Sequence, residues 1–173
     1  MANATESQHI SAFGVAGPAF HLGVAASTSC FKGTFISQLS TGYAVPYSTA
    51  SSGVCVGVAQ ADALNASGSA GDVRVKCESR RMFAVPNGTA GDAFADTDLI
   101  GSLVYATDDH TAAKTSSTQT RKAVGFFFGL EDDGLVRVFV DPPLARLIDK
   151  LQTLTDTPAT ADALRDNIVA SFG

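Results

Sequence analysis

Residues 124–140 read VGFFFGLEDDGLVRVFV, and this stretch decides the fold class. Two apolar runs flank the polar turn Glu131-Asp132-Asp133-Gly134. Asp-Gly between such runs is a strong hairpin signal, because glycine takes a positive φ without a Cβ clash. The spacing predicts an antiparallel hairpin over 124–140 that turns at Asp132–Gly134. Alternation with period two puts Val124, Phe126, Phe128 and Leu130 on one face, opposite Gly125, Phe127 and Gly129.

The same grammar extends outward over 21–141, where short β-branched and aromatic runs are separated by Gly, Asp, Ser and Pro clusters. In GDVRVKCES (71–79), Val73, Val75 and Cys77 alternate with Arg74, Lys76 and Glu78, which describes a strand with one wet face. In VCVGVA (54–59), Val54, Val56 and Val58 form a bulky side against Cys55, Gly57 and Ala59. Residues 45–76 and 104–139 echo each other as strand, polar loop, V-G-V or V-G-F strand, turn and V-R-V strand. The expected architecture is mainly β, an antiparallel sandwich or barrel.

Both ends differ from this core. Residues 1–20 are Ala-, Gly- and Ser-rich with isolated apolar residues Ile10, Phe13, Val15 and Phe20, and they read as an extended arm or a frayed terminus. Residues 142–173 read as two short helices. Asp141 can cap the first, with Pro142-Pro143 in its opening turn. Leu144, Leu147, Leu151 and Leu154 follow at 3-4-3 spacing, a seam suited to another helix or to the β-domain. Thr157-Pro158 opens the second, with Leu164, Ile168 and Phe172 on one face.

Composition narrows the function. Of 173 residues, 45% are apolar and only 17% charged, and the formal net charge is −5. An acidic chain lacks the basic face a nucleic-acid binder needs, so no nucleic-acid partner is expected. No apolar run approaches the roughly 18 residues of a membrane-spanning helix. The opening MANATESQHISAF has neither the basic nor the apolar region of a secretion signal. A soluble, cytosolically made protein is therefore expected. Cys30, Cys55 and Cys77 are odd in number and widely spaced, so they read as buried hydrophobes in a reducing compartment.

Chemical motifs are sparse. There is no phosphate loop, GxSxG elbow, HExxH or CxxC. The acidic cluster with a histidine is Asp108-Asp109-His110, with Asp96 and Asp98 upstream. A calcium loop beginning at Asp96 would reach its twelfth position at Thr107 rather than Glu. The plainer reading is a solvated loop whose aspartates cap the backbone. Arg80-Arg81 reads as a solvated face or a subunit contact. No enzyme activity, metal or cofactor is expected.

The core over about 23–140 resembles the capsid decoration (cement) proteins of tailed bacteriophages. The features that carry the resemblance occur in order: GYAVPY (42–47), a polar loop, VGVA (56–59), AGDVRV (70–75), VYATDD (104–109), VGF (124–126) and DDGLVRVF (132–139). The resemblance implies a small β-protein on the outside of an icosahedral head, made in the bacterial host cytoplasm, bridging major capsid protein subunits. It also implies self-association, with a trimer favoured, and it transfers no catalytic residue. Ile10, Phe13 and Phe20 are then candidates for the shell contact, and Leu144, Leu147, Leu151 and Leu154 for the self-contact. A phage tail or spike adaptor and a carbohydrate-binding β-sandwich are the alternatives. A small hydrolase is disfavoured by the missing nucleophile motif.

Overall fold

The computed structural model describes residues 5–6, 12–13, 18–51 and 53–155. The strands are β1 Ala12–Phe13, β2 Ala19–Gly23, β3 Thr28–Cys30, β4 Phe35–Gln38, β5 Ala44–Pro46, β6 Val54–Ala59 and β7 Ala63–Asn65. They continue as β8 Arg74–Glu78, β9 Arg81–Val85, β10 Leu103–Ala106, β11 Ala112–Ala113, β12 Ala123–Leu130 and β13 Val136–Val140, followed by α1 Pro142–Thr155. One sheet runs β1-β9-β13-β12-β10-β11, a second β2-β8-β6-β4-β5, and a third pairs β3 with β7. Every ladder between these strands is antiparallel.

The chain is mainly β, as its alternation predicts, and it stacks in layers. Phe83, Val85, Val104, Val124, Phe127 and Val138 of the six-stranded sheet meet Phe35, Cys55 and Val58 of the five-stranded one in a first core. Phe94 and Phe127 stack inside it with ring centroids 4.6 Å apart. A second core lies on the other side of the five-stranded sheet, where Ile36, Ala59, Val75 and Cys77 meet Cys30 and Ala63 of the β3–β7 pair. From Phe35 to Ser37 of β4 and from Cys55 to Ala59 of β6 the middle sheet therefore has no wet face, and both sides there must be compatible with burial.

Double burial makes bulges visible that simple alternation hides. Ile36 pairs with Gly57 but Ser37 pairs with Cys55, so Val56 is an extra residue in β6. The side chains shift accordingly. Cys55 and Val58 share the first core, Val56 and Ala59 lie on the second, and Val54 is exposed, which replaces the expected Val54-Val56-Val58 face. Two further irregularities flank Phe127 in β12: Val124 is extra against β10, and the register with β13 slips between Phe127 and Leu130. The core face of β12 is thus Val124, Phe127 and Leu130, at a spacing of three. Phe126 and Phe128 point the other way, contrary to the alternation.

The hairpin itself forms where expected. Gly134 has φ +83 and its N–H donates to the Glu131 carbonyl at 2.9 Å. Arg137 closes the base with two bonds to the Glu131 carboxylate. In β8, Val75 and Cys77 are buried and Arg74 and Lys76 exposed. Glu78, expected on the wet face, is buried instead, because the Arg81 guanidinium reaches it at 2.6 Å. Arg81 is therefore an internal partner rather than a solvated charge. Its neighbour Arg80 is exposed and lies 3.4 Å from Asp141.

Asp141 caps α1. Its carboxylate accepts the Leu144 N–H at 3.3 Å and its carbonyl the Ala145 N–H at 2.9 Å. The helix packs on β12 and β10, with Ala145 buried against Tyr105, Ala113 and Ala123. Helical structure was expected only after Asp141, but a 3-10 turn also forms at Ala90–Asp92. The second expected helix, from Thr157, lies outside the described residues.

Two glycines mark where backbones approach most closely. A Cβ on Gly125 would run into the Phe139 carbonyl and the Val138 side chain, and one on Gly57 into the Glu78 carbonyl. Gly125→Ala and Gly57→Ala should each lower stability by about 1–3 kcal/mol, the range of overpacking in a filled core. Gly91→Ala, where a Cβ meets open space, should change it by less than about 0.5 kcal/mol. Urea midpoints at constant slope test both.

Candidate functional site

The loop from β10 to β11 carries the acidic cluster. Asp108 Oδ1 accepts the N–H of His110 at 3.0 Å and of Thr111 at 2.8 Å, the local cap expected of an Asp in a polar turn. Asp109 departs from the solvated reading. It is fully buried, its Oδ1 lies 2.8 Å from His110 Nδ1, and its carbonyl accepts the Phe35 N–H at 2.6 Å. The Asp109 carbonyl pins the loop to β4, and its carboxylate ties back to His110 within the loop. The cluster is an internal strut, and its side chains are not free in solvent.

Three ligand-type atoms of Asp108, Asp109 and His110 lie within 4.8 Å of one another. A cation there would have to displace bonds already made, since Asp108 Oδ1 holds two N–H groups and Asp109 faces His110 Nδ1. What the pair does is orient the imidazole and leave Nε2 as its remaining polar atom. Upstream, Asp98 holds the Lys114 ammonium at 2.7 and 3.0 Å and accepts the Ala95 N–H. An internal ammonium thus occupies the carboxylate that a calcium loop would direct at its ion.

Cys30, Cys55 and Cys77 are free and buried, as their spacing suggests. Burial pushes all three thiols up to about 12, with Asp109 adding to the effect at Cys30. A thiolate is the reactive form, so these sulfurs are chemically silent in the fold.

The contact residues expected from sequence fall into two groups. Ile10 lies outside the described residues. Phe13 is in β1, in register with Met82 at the edge of the six-stranded sheet. Phe20 is not part of a free arm. It is in β2 opposite Cys77 and half-buried against the second core. Its isolation in the sequence is misleading, since its strand begins only one residue earlier, at Ala19.

The leucines of α1 behave differently. Ala145 faces the sheet, whereas Leu144 and Leu147 are 44% and 55% exposed. Leu151 is half-buried, and Leu154 falls in the last turn. The seam therefore looks away from the β-domain at its N-terminal half.

Sequence reasoning missed a second exposed set. Leu99 and Ile100 are 79% and 61% exposed, and Phe128 is 42% exposed. Gly101, immediately after Ile100, donates its N–H to the Phe127 carbonyl, which holds this loop tip beside Phe128. On the same outer face a row of cross-strand partners, Leu103, Phe126, Phe139 and Met82, runs across four strands. The signal available was the Leu99-Ile100 pair between Asp98 and Gly101, two large apolar residues inside turn chemistry.

No protein-family model, no curated protein and no solved structure matches the chain.

Two measurements follow from the buried groups. Asp109→Ala should cost about 1–3 kcal/mol, because it strips a buried partner from His110 and empties the strut. A denaturation midpoint unchanged from wild type would return the cluster to a solvated loop. Iodoacetamide should leave the native thiols unlabelled at about pH 8 and label all three once the chain is unfolded. The linked pH effect has a definite sign. Unfolded thiols lose their protons near their ordinary pKa of about 8.5, and folded ones not until about 12. Their contribution to stability should thus decline as pH rises above about 8.5.

Proposed function

We propose that this chain is a structural binding protein of the capsid-decoration type, which attaches to the outer surface of an icosahedral phage head and bridges major capsid subunits. The observation that carries the reading is the exposure of large apolar residues on β12, on the loop before β10 and on α1: Phe128, Leu99, Ile100, Leu144 and Leu147. Large apolar side chains left open to solvent are the kind of surface that a protein partner covers. The partner is taken from the resemblance of the ordered motifs to decoration proteins, and a β-sandwich-like fold is compatible with it.

In this reading the work is divided. Leu144 and Leu147 serve the contact between copies, as two heptad-like positions on a helix flank can. Leu99, Ile100 and Phe128, with Ile10 and Phe13 of the N-terminal stretch, serve the shell. Each contact is small, and repetition over a symmetric lattice makes weak contacts effective together. Phe20, half-buried against the second core, is left out of this proposed shell contact.

The test uses purified protein and undecorated heads. Leu144→Asp with Leu147→Asp should shift the oligomer toward monomer in sedimentation, since each charge would have to be desolvated in an apolar contact. Leu99→Asp with Ile100→Asp should leave the oligomer intact and reduce head occupancy at least tenfold. Truncation should stop at residue 11, because removing 1–20 would also take β1 and the start of β2. Unchanged occupancy with the Leu99/Ile100 variant would overturn the assignment of that surface. Saturation at tens rather than hundreds of copies per particle would favour a tail or spike adaptor.

A further inference from the structure

The chain has 12 Lys and Arg residues against 17 Asp and Glu, yet four of the cations converge on one cleft. Arg121 and Lys122 form one wall, just ahead of β12, and Arg146 and Lys150 form the other, one helical turn apart on α1. Val54, which is exposed, supplies apolar surface between them. The cleft measures about 260 Å³. That is below the roughly 300–1,000 Å³ of sites for drug-sized ligands, so it suits a fragment-sized molecule.

Charge in the cleft is poorly balanced. Arg121 is neutralised by Asp92 at 2.8 Å. Lys122 is not: its ammonium donates to the Ser51 carbonyl, a dipole and not a counter-charge. Arg146 likewise directs its Nε at the Pro142 carbonyl, 3.3 Å away, with its two terminal amino groups left for another acceptor. Lys150 is exposed and forms no ion pair among the described residues. Asp149 lies on the same rim and accepts the Tyr105 hydroxyl at 2.7 Å. Burial, and to a smaller extent the nearby Arg146, holds the Lys122 ammonium below its ordinary pKa.

The lip of the cleft is also unusual. Ser117, Thr118 and Gln119 are three successive non-glycine residues at positive φ, of 46, 53 and 66. Such backbone costs of order 1 kcal/mol or more per residue and persists only where its surroundings impose it. Here the turn is closed by the Arg121 N–H on the Ser116 carbonyl at 3.0 Å, which sets Arg121 and Lys122 on the cleft wall.

We propose that this cleft binds a small amphiphilic anion: a phosphate or carboxylate held by Lys122, Arg146 and Lys150, on an aromatic or short alkyl stem that lies against Val54. The three cations outnumber the one carboxylate on the rim, Asp149, so an anion adds counter-charge, and a guanidinium presents paired N–H donors to a planar or tetrahedral oxyanion. Displacing water from Val54 adds an apolar contribution that inorganic phosphate cannot make. The inference stands apart from shell decoration, and either can fail without the other.

The experiment is calorimetric titration of the full chain at low ionic strength with phenyl phosphate, hexanoate and inorganic phosphate. Phenyl phosphate or hexanoate should bind saturably at one site per chain, more tightly than inorganic phosphate. Which of the two binds better identifies the headgroup. Lys122→Gln and Arg146→Gln should each weaken binding about tenfold or more, as for a lost charge-assisted hydrogen bond. Lys76→Gln, an exposed change on β8, should not weaken it. Val54→Ser should narrow the gap between phenyl phosphate and inorganic phosphate without changing the fold, because Val54 is already exposed. Circular dichroism on each variant separates lost binding from lost structure. The proposal is overturned if no probe saturates, if Lys76→Gln weakens binding as much as Arg146→Gln, or if inorganic phosphate binds as well as the amphiphilic probes.

Discussion

Burial of β4 and β6, inside the five-stranded sheet, on both faces is the constraint on which the rest of the structure depends. A sheet with one wet face can alternate apolar and polar residues, but β4 and β6 must satisfy two cores at once. Phe35 and Ile36 are adjacent and point into opposite cores. Ser37 Oγ is buried with no hydrogen-bond partner among the described residues, a desolvation penalty of roughly 1–3 kcal/mol that the surrounding apolar contacts outweigh. Small residues follow from the same constraint. Gly57 lies against the Glu78 carbonyl, and Ala59, Ala63 and Cys77 fill the second core with little volume, which lets the β3–β7 pair sit close.

How much of this was legible depended on whether a strand kept its register. β8 and β13 pair without slippage over most of their length, and their alternation reads directly from Val75-Lys76-Cys77 and Val136-Arg137-Val138. The hairpin turn and the Asp141 cap were equally legible, because both rest on local chemistry: positive φ at Gly134 and a carboxylate facing free N–H groups. β6 and β12 were not legible. A bulge adds one residue and reverses every side chain beyond it, and nothing in VCVGVA or VGFFFGL marks which residue is extra. The deciding information lies in the partner strands, with Ser37 opposite Cys55 and Tyr105 opposite Ala123.

The acidic groups show a similar limit. Asp108, Asp109 and Asp98 look alike in a polar stretch, yet one caps a turn, one is a buried strut, and one holds an ammonium. Their fates are set by what the fold brings near: the β4 backbone for Asp109, and Lys114 for Asp98. Glu78 repeats the pattern, since its burial depends on Arg81 across the β8–β9 turn. Sequence marks such groups as polar, and tertiary structure decides whether water or a partner satisfies them.

The helix α1 then explains why the exposed apolar surface and the basic cleft occur together. A helix docked through small side chains buries a narrow stripe, here centred on Ala145, and leaves its flanks uncommitted. One flank presents Leu144 and Leu147, and another presents Arg146 and Lys150 toward Lys122. A larger residue at 145 would lift the helix off Tyr105 and Ala123, widening the cleft and disturbing the Tyr105–Asp149 bond in the same movement. Close packing at a single alanine therefore sets the geometry of both surfaces.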